Sequence, residues 1–243
     1  MKDYLQDIVQ HTHGLGIIDL VKITGTDTDT VINSVAEDRS VIVEAKFKSA
    51  HPDFVGTFGM PNLGKLNTIL NIPEYKEDAR LSINTQNKDG NTVPVGIHFE
   101  NKVGDFKNDY RFMSAEIIND KLKSVKFKGV KWGVDITPSA ASIQRMKFQA
   151  SANNEETTFI AKTEGGDLKF FFGDASSHAG NFVFQAGVSG TLNKSWAWPV
   201  VAVISILSLP GDKTLKISDE GAAMITVDSG IAEYSYIIPA QTK

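Results

Sequence analysis

Apolar residues along the chain recur at two spacings, one helical and one alternating. Tyr4, Leu5, Ile8, Val9 and Thr12 fall on one side of a helix over residues 3–13, while Asp3, Gln6, Asp7 and Gln10 take the other. Gly14 and Gly16 end it. Val41, Val43, Ala45 and Phe47 alternate with Ile42, Glu44, Lys46 and Lys48, which predicts a strand over 40–48 with one apolar face. Further strands are predicted over 17–23, 30–35, 80–85, 93–100 and 110–118, with Lys88-Asp89-Gly90-Asn91 as a turn. Leu63, Leu66, Ile69 and Leu70 predict a helix over 61–72 that opens on Pro61, where a missing N–H costs nothing.

The second half repeats this order. Thr137 is placed as an N-cap and Pro138 as the first residue of a helix ending near Asn153, with Ile143, Met146 and Ala150 inward. Strands over 157–163 and 167–173 form a hairpin about Glu164-Gly165-Gly166. Strands over 181–188 and 191–198 lead to an apolar helix over 199–209, then strands over 213–218, 222–227 and 234–239. Phe170-Phe171-Phe172 breaks the alternation, so this strand is expected to be covered on both faces.

Two segments echo each other. Ile69-Leu70-Asn71-Ile72-Pro73 followed by Leu81-Ser82-Ile83 matches Ile206-Leu207-Ser208-Leu209-Pro210 followed by Leu215-Lys216-Ile217. The offset of about 137 residues far exceeds a solenoid period of roughly 20–50. One domain built twice is therefore expected: residues 1–120, then 134–243. The lysine-rich connector 121–133 joins them, with Lys121, Lys123, Lys126, Lys128 and Lys131 around Val125, Phe127 and Val130.

Composition sets limits on the chemistry. The 243 residues contain no cysteine, which rules out disulfides, thiol catalysis and zinc–thiolate sites. The net charge of −4 argues against a surface coated for nucleic acid but permits a local basic face. The opening Met-Lys-Asp-Tyr-Leu-Gln-Asp carries acids and no apolar core, unlike a secretion signal. Residues 199–209, the longest apolar run, are too few to span a bilayer. No nucleophile–base motif, P-loop or dinucleotide fingerprint occurs, so no catalytic residue is assigned. Thr26-Asp27-Thr28-Asp29 lacks the glycine and closing glutamate of a calcium loop and is taken as a polar turn. His11 and His13 are two apart and would diverge on a helix, so no metal site and no cofactor are expected.

The ordered set of elements resembles a DNA sliding clamp. The likeness is carried by the helix ending at Leu209-Pro210, the strands that follow, and the closing Tyr234-Ser235-Tyr236-Ile237-Ile238-Pro239. Proliferating cell nuclear antigen and its archaeal relatives end similarly. Thr137-Pro138-Ser139 with Ile143, Arg145 and Met146 resembles the helix opening their second domain. The short length and lack of cysteine suit the T4-type bacteriophage clamp. The resemblance implies an α+β clamp fold of two similar domains, each with two helices on antiparallel sheets. It further implies that copies assemble into a ring, a homotrimer, encircling duplex DNA without regard to sequence.

The DNA-facing cations would be Lys2, Lys65, Arg145 and Lys147, with Phe148 unexpectedly beside Arg145. DNA polymerase and clamp loader would dock tail peptides on Val41, Val43, Phe127, Val130, Leu209, Pro210, Ile237, Ile238 and Pro239. Subunits would join through edge strands 110–118 and 167–173, using Tyr110, Phe112, Leu168, Phe170 and Phe172. The implied protein is not an enzyme, needs no membrane, and works in the cytoplasm, that of the host if viral. The alternative is a phage tail or baseplate protein, also a β-rich ring former.

Overall fold

In the computed structural model the alternating stretches become strands and the helical stripes become helices. It describes all residues except Asp89, Ser124, Val125, Lys126, Ala175, Ser177, Thr242 and Lys243, and the side chain of Asn91. Val125 and Lys126 of the expected connector and Asp89 of the expected turn thus lie outside the described residues. The chain divides into two units, Met1–Val125 with Ser229–Tyr234, and Lys126–Asp228 with Ser235–Lys243.

In the first unit α1 (Lys2–His11) buries Leu5, Ile8 and Val9 as its pattern requires. Asp7, assigned to the polar side, is buried as well, together with His11. Its carboxylate accepts a hydrogen bond from the Tyr234 hydroxyl at 2.8 Å, and the His11 ring stacks on Tyr234 at 4.6 Å. A buried carboxylate needs such partners. Strands β1 (Leu20–Gly25), β2 (Thr30–Val35), β3 (Ile42–Phe47) and β4 (Gly56–Pro61) form an antiparallel run in the order β4-β1-β2-β3. The strand expected at 17–23 starts three residues later, because the chain first passes through a short 3-10 turn, His13–Leu15. The turn at Thr26 is closed by its own hydroxyl, which accepts from the amides of Thr28 and Asp29.

Strand β4 was not foreseen, since its glycines break the alternation. They are needed there: a Cβ on Gly59 would meet Ile118 at 3.0 Å. Pro61 therefore ends a strand rather than opening a helix, and α2 (Leu63–Leu70) begins two residues on. Asn62 takes the left-handed conformation, φ 53°, and the Asp19 carboxylate serves as a borrowed cap by accepting from the Gly64 amide at 3.1 Å.

Strands β5 (Arg80–Lys88), β6 (Asn91–Glu100) and β7 (Lys107–Arg111) make a three-stranded antiparallel sheet. The strand expected over 110–118 stops at Arg111, and Ser114 starts a third helix, α3 (Ala115–Lys121). Its two isoleucines suggested a strand. The helix instead buries Ile118 against β4 and leaves Ile117 exposed.

The second unit opens with β8 (Val134–Ile136) and α4 (Ala140–Ala152). The N-cap is Ser139, not Thr137: its hydroxyl accepts from the Ser142 amide at 3.0 Å. The inward face of α4 is Ser142 and Met146, one step round from the expected Ile143 and Ala150. Strands β9 (Thr158–Glu164), β10 (Asp167–Phe172), β11 (Gly180–Gln185) and β12 (Ala197–Pro199) form a sheet in the order β11-β10-β9-β12. Phe170 and Phe172 enter its core, while Phe171 lies half-exposed on the other face under the Lys162 ammonium. After α5 (Val200–Leu207) come β13 (Asp212–Ile217), β14 (Ala222–Asp228) and β15 (Ala232–Pro239), and β13 pairs with both β8 and β14. Pro199 ends β12 directly before α5, as Pro61 ends β4 before α2. The fold is α+β, with antiparallel sheets and few helices.

Candidate functional site

The four expected DNA-facing cations differ in how free they are. Lys65 is exposed on α2, and its ammonium makes no ion pair or hydrogen bond among the described residues. The Lys2 ammonium is held by the carbonyl of Tyr75, at 2.5 Å. Arg145 is exposed but tied down, its Nη1 donating to the carbonyl of Val183 at 3.1 Å. Lys147 is half-buried, close enough to Lys213 that the Lys213 ammonium, already penalised by burial, is held below its ordinary value partly by Lys147. Phe148 and Val201 stand 64% and 71% exposed on α4 and α5; besides Arg145 the exposed polar side chains of α4 are Gln144 and Ser151, and exposed Ser208 caps the end of α5. The helices thus present mainly amides, hydroxyls and a few apolar groups.

The expected edge residues are placed differently. Strand β10 is paired on both sides, by β9 and β11, so it is not an edge. Leu168, Phe170 and Phe172 are core residues of their own unit, at most 1% exposed. The outer strands of that sheet are β11 and the short β12. In the first unit β7 does lie at a sheet edge, with Lys107, Asp109 and Arg111 exposed, but the expected contact residue Tyr110 turns inward. Tyr110 is buried, donates to the carbonyl of Pro61, and has its hydroxyl pushed well above the usual range by burial. Phe112 stacks on Phe58 at 4.3 Å.

The expected peptide pocket is redistributed. Val41 and Val43 are fully buried on the inner face of the sheet and line no surface. In the same unit a groove of about 1070 Å³ runs past the β2–β3 turn and the end of α3, with Val35, Pro61, Met113 and Leu122 among its apolar lining and Asp19, Glu37, Asp38, Arg39 and Lys121 among its charges. Arg39 sits in the left-handed region at φ 61°, where a side chain costs roughly 1 kcal/mol. Asn62, in the same conformation, also lines the groove.

In the second unit the turn between β13 and β14 is a hub. The Asp219 carboxylate accepts from the Asn193 and Lys194 amides, at 2.9 and 3.0 Å, and from the Asn193 side chain at 3.1 Å. Burial opposes the charge, but these donors outweigh it and hold the Asp219 carboxyl below its ordinary value. The Trp196 indole N–H donates to the Asp219 carbonyl at 2.8 Å. The Ser218 hydroxyl donates to the Lys131 carbonyl at 2.7 Å, the Lys131 amide to Glu220 at 2.8 Å, and the Ala240 amide to the Gly221 carbonyl at 2.9 Å. Connector, C-terminal end and Trp196 therefore converge on one turn, and the half-exposed Phe127 ring lies 6.0 Å from Trp132.

Pro239 is exposed next to Ala240, and Val130 is half-exposed next to Lys131. Leu209, Ile237 and Ile238 are buried. Exposed Pro210 lies at the opposite end of β13, whose six residues span about 20 Å. The structure thus groups Phe127, Val130 and Pro239 near the turn and leaves Pro210 apart. Among the described residues no three His, Asp or Glu side chains are placed to hold a metal, and no helix is long and apolar enough to cross a membrane.

No family model matches the sequence, and no curated protein matches it. Solved structures do. A chain in the structure of the C-terminal region of FEN-1 bound to A. fulgidus PCNA superposes with a TM-score of 0.70 over 100% of this chain and 96% of that one, at 10% identity. PCNA from Thermococcus kodakaraensis gives 0.67 over 99% and 97%, also at 10% identity. This chain has the sliding-clamp fold.

Within that fold, sequence reasoning missed several residues at the groove of the first unit and the turn of the second. Trp132 and Trp196 carried a signal, being two of only three tryptophans and both near lysines. Arg39 carried a weaker one, since Glu37-Asp38-Arg39-Ser40 gives the hairpin no glycine where a left-handed residue was needed. Asp219 gave none: an acid in a turn is ordinary until the donors around it are seen.

Proposed function

We propose that this protein is a sliding clamp of the T4-type bacteriophage kind. Copies of the chain close into a homotrimeric ring around duplex DNA and tether the replicative DNA polymerase, after loading by an ATP-dependent clamp loader. The observation that supports this best is the superposition on two PCNA chains over nearly the whole length, at 10% identity. A non-catalytic tether tolerates such divergence, because its work is topological. Domains 1–120 and 134–243 are the two halves of the wall, and residues 121–133 connect them.

Partners dock peptides at two surfaces: the groove beside Arg39 and Leu122, and the aromatic hub at Phe127, Trp132 and Trp196. The A. fulgidus PCNA structure supports this by analogy, because that protein binds the C-terminal region of FEN-1. Apolar anchors in a preformed cleft would supply most of the affinity. Subunits pair through the backbone edges of β7 and β11 rather than through Leu168, Phe170 and Phe172. Lys65 and Lys147 supply diffuse attraction to phosphates.

The test is primer extension on singly primed circular DNA with the cognate polymerase and loader. Product length should rise sharply with the clamp and return to the polymerase-alone value when the circle is linearised, since a ring slides off an end. Equal lengths with and without the protein would refute the reading. Crosslinking with mass measurement separates it from a tail or baseplate subunit: three copies support the clamp, and six copies or an open polymer support the rival.

A further inference from the structure

The sheet of the second unit ends on β11, and the side chains of α4 reach over that strand. The two-residue turn Gly165-Gly166 makes Glu164 and Asp167 the first hydrogen-bonded pair of the β9–β10 hairpin. Bonding direction alternates from there. Asp167, Lys169 and Phe171 turn their backbone groups to β9, and Phe170 and Phe172 turn theirs to β11. Opposite these, Phe182 and Gly180 face inward. The backbone groups of Asn181 and Val183 consequently point out at the open edge.

Those two outward carbonyls are already occupied. Arg145 Nη1 donates to Val183 at 3.1 Å, and Gln149 Nε2 donates to Asn181 at 3.3 Å. The guanidinium also lies over the Phe182 ring, 5.4 Å from its centre. Spacing makes the match regular. Four residues of helix rise about 6 Å, and two residues of strand about 6.6 Å. One turn of α4 therefore delivers two donors in register with the edge. An open strand edge invites another strand, and charged or polar cover is a known protection.

We propose that Arg145 and Gln149 are a removable cover on β11. In the free protomer they hold the carbonyls that a strand of a second copy needs. The edge accepts that strand only when both side chains turn away, and this releases the Arg145 guanidinium at the moment of assembly. The inference rests on the reading that copies join by strand pairing, and it adds what restrains that pairing.

The experiment measures self-association by sedimentation for the full chain, Arg145→Met, Gln149→Met and Val183→Pro. Each methionine variant should tighten association about fivefold, the worth of one hydrogen bond no longer surrendered. Arg145→Lys, which keeps a donor, should move less. Unchanged or weaker association in both methionine variants overturns the cover. Val183→Pro removes the outward N–H and should abolish association. If it does while the methionine variants behave as wild type, the cover is wrong and strand pairing stands. If Val183→Pro associates normally, both fall. Hydrogen exchange on the unmutated chain gives a check that needs no variant to fold: the amides of Asn181 and Val183 should exchange fast in the monomer and slowly in the assembly.

Discussion

Replacing Asp219 by alanine tests whether the β13–β14 turn organises the loops gathered around Trp196 in the second unit. The carboxylate accepts from three donors: two backbone amides and one side-chain amide. A hydrogen bond to a charged acceptor contributes up to about 1.5–3 kcal/mol when well buried, and nearer 1 kcal/mol with solvent access. Asp219 is half-exposed, so the three together are worth about 2 kcal/mol after discounting for water and salt. For a chain of this size that lowers the melting temperature by about 4–8 °C.

The pH dependence is a second, independent signature. The folded carboxyl is held below its ordinary value, so the folded state binds fewer protons than the unfolded one near pH 4. The stabilisation is complete above the unfolded-chain value of about 3.9 and fades as pH falls through the lower folded value. Urea denaturation followed by tryptophan fluorescence reports directly, because Trp196 donates to the same residue. The gap between wild type and Asp219→Ala should be about 2 kcal/mol at pH 7 and shrink toward zero near pH 2. A gap under about 0.5 kcal/mol, or one of equal size at both pH values, would refute the reasoning.

Other expectations follow from the first unit and the helix faces. Arg39→Gly should stabilise the fold by roughly 1 kcal/mol by relieving a left-handed side chain, yet weaken a polymerase tail peptide severalfold in a fluorescence titration. His51 stacks on Phe54 and meets Tyr4 edge-on, and burial holds its ring below the ordinary histidine value. Stability should therefore fall as pH drops from about 7 to 5, where the unfolded chain gains a proton the folded one resists, and His51→Asn should flatten that slope in thermal melts. Binding to short open duplexes should be weak, with a shallow salt dependence of about two to three released counterions, and Lys65→Ala should reduce that slope by about one.

Most of the fold was legible because it is written in period. The hairpin about Gly165-Gly166 carries its turn signal, β3 alternates cleanly, and these and the closing strands each lie within a residue or two of their expected places. The misreadings share a cause. β4 carries glycines where the pattern wanted side chains, because Ile118 packs onto Gly59. The stretch after Arg111 holds isoleucines that read as a strand, but one of them anchors a short helix instead. Asp7 looked solvated because nothing nearby in sequence announces the Tyr234 hydroxyl, 227 residues away. In each case a distant partner overrides a local preference.

The binding surfaces were harder to see for a related reason. Periodicity identifies what is inside, and the expected pocket and interface lists were drawn from apolar positions, so they collected core residues such as Val41, Val43, Leu168 and Phe170. What the lists passed over is backbone and turn: the β11 edge, whose outward carbonyls Arg145 and Gln149 hold, the strained turn at Arg39, and the carboxylate that gathers the loop before Trp196. On the proposed reading, a protein that slides on DNA makes no strong side-chain contacts along its track. Under that reading partners and sister subunits are recognised by strand edges and pinned turns, whose sequence requirements are loose. That is consistent with a whole-chain superposition persisting at 10% identity. It also predicts where substitutions will be felt: at Asp219 and at the α4–β11 contact more than at any single cation on the helix faces.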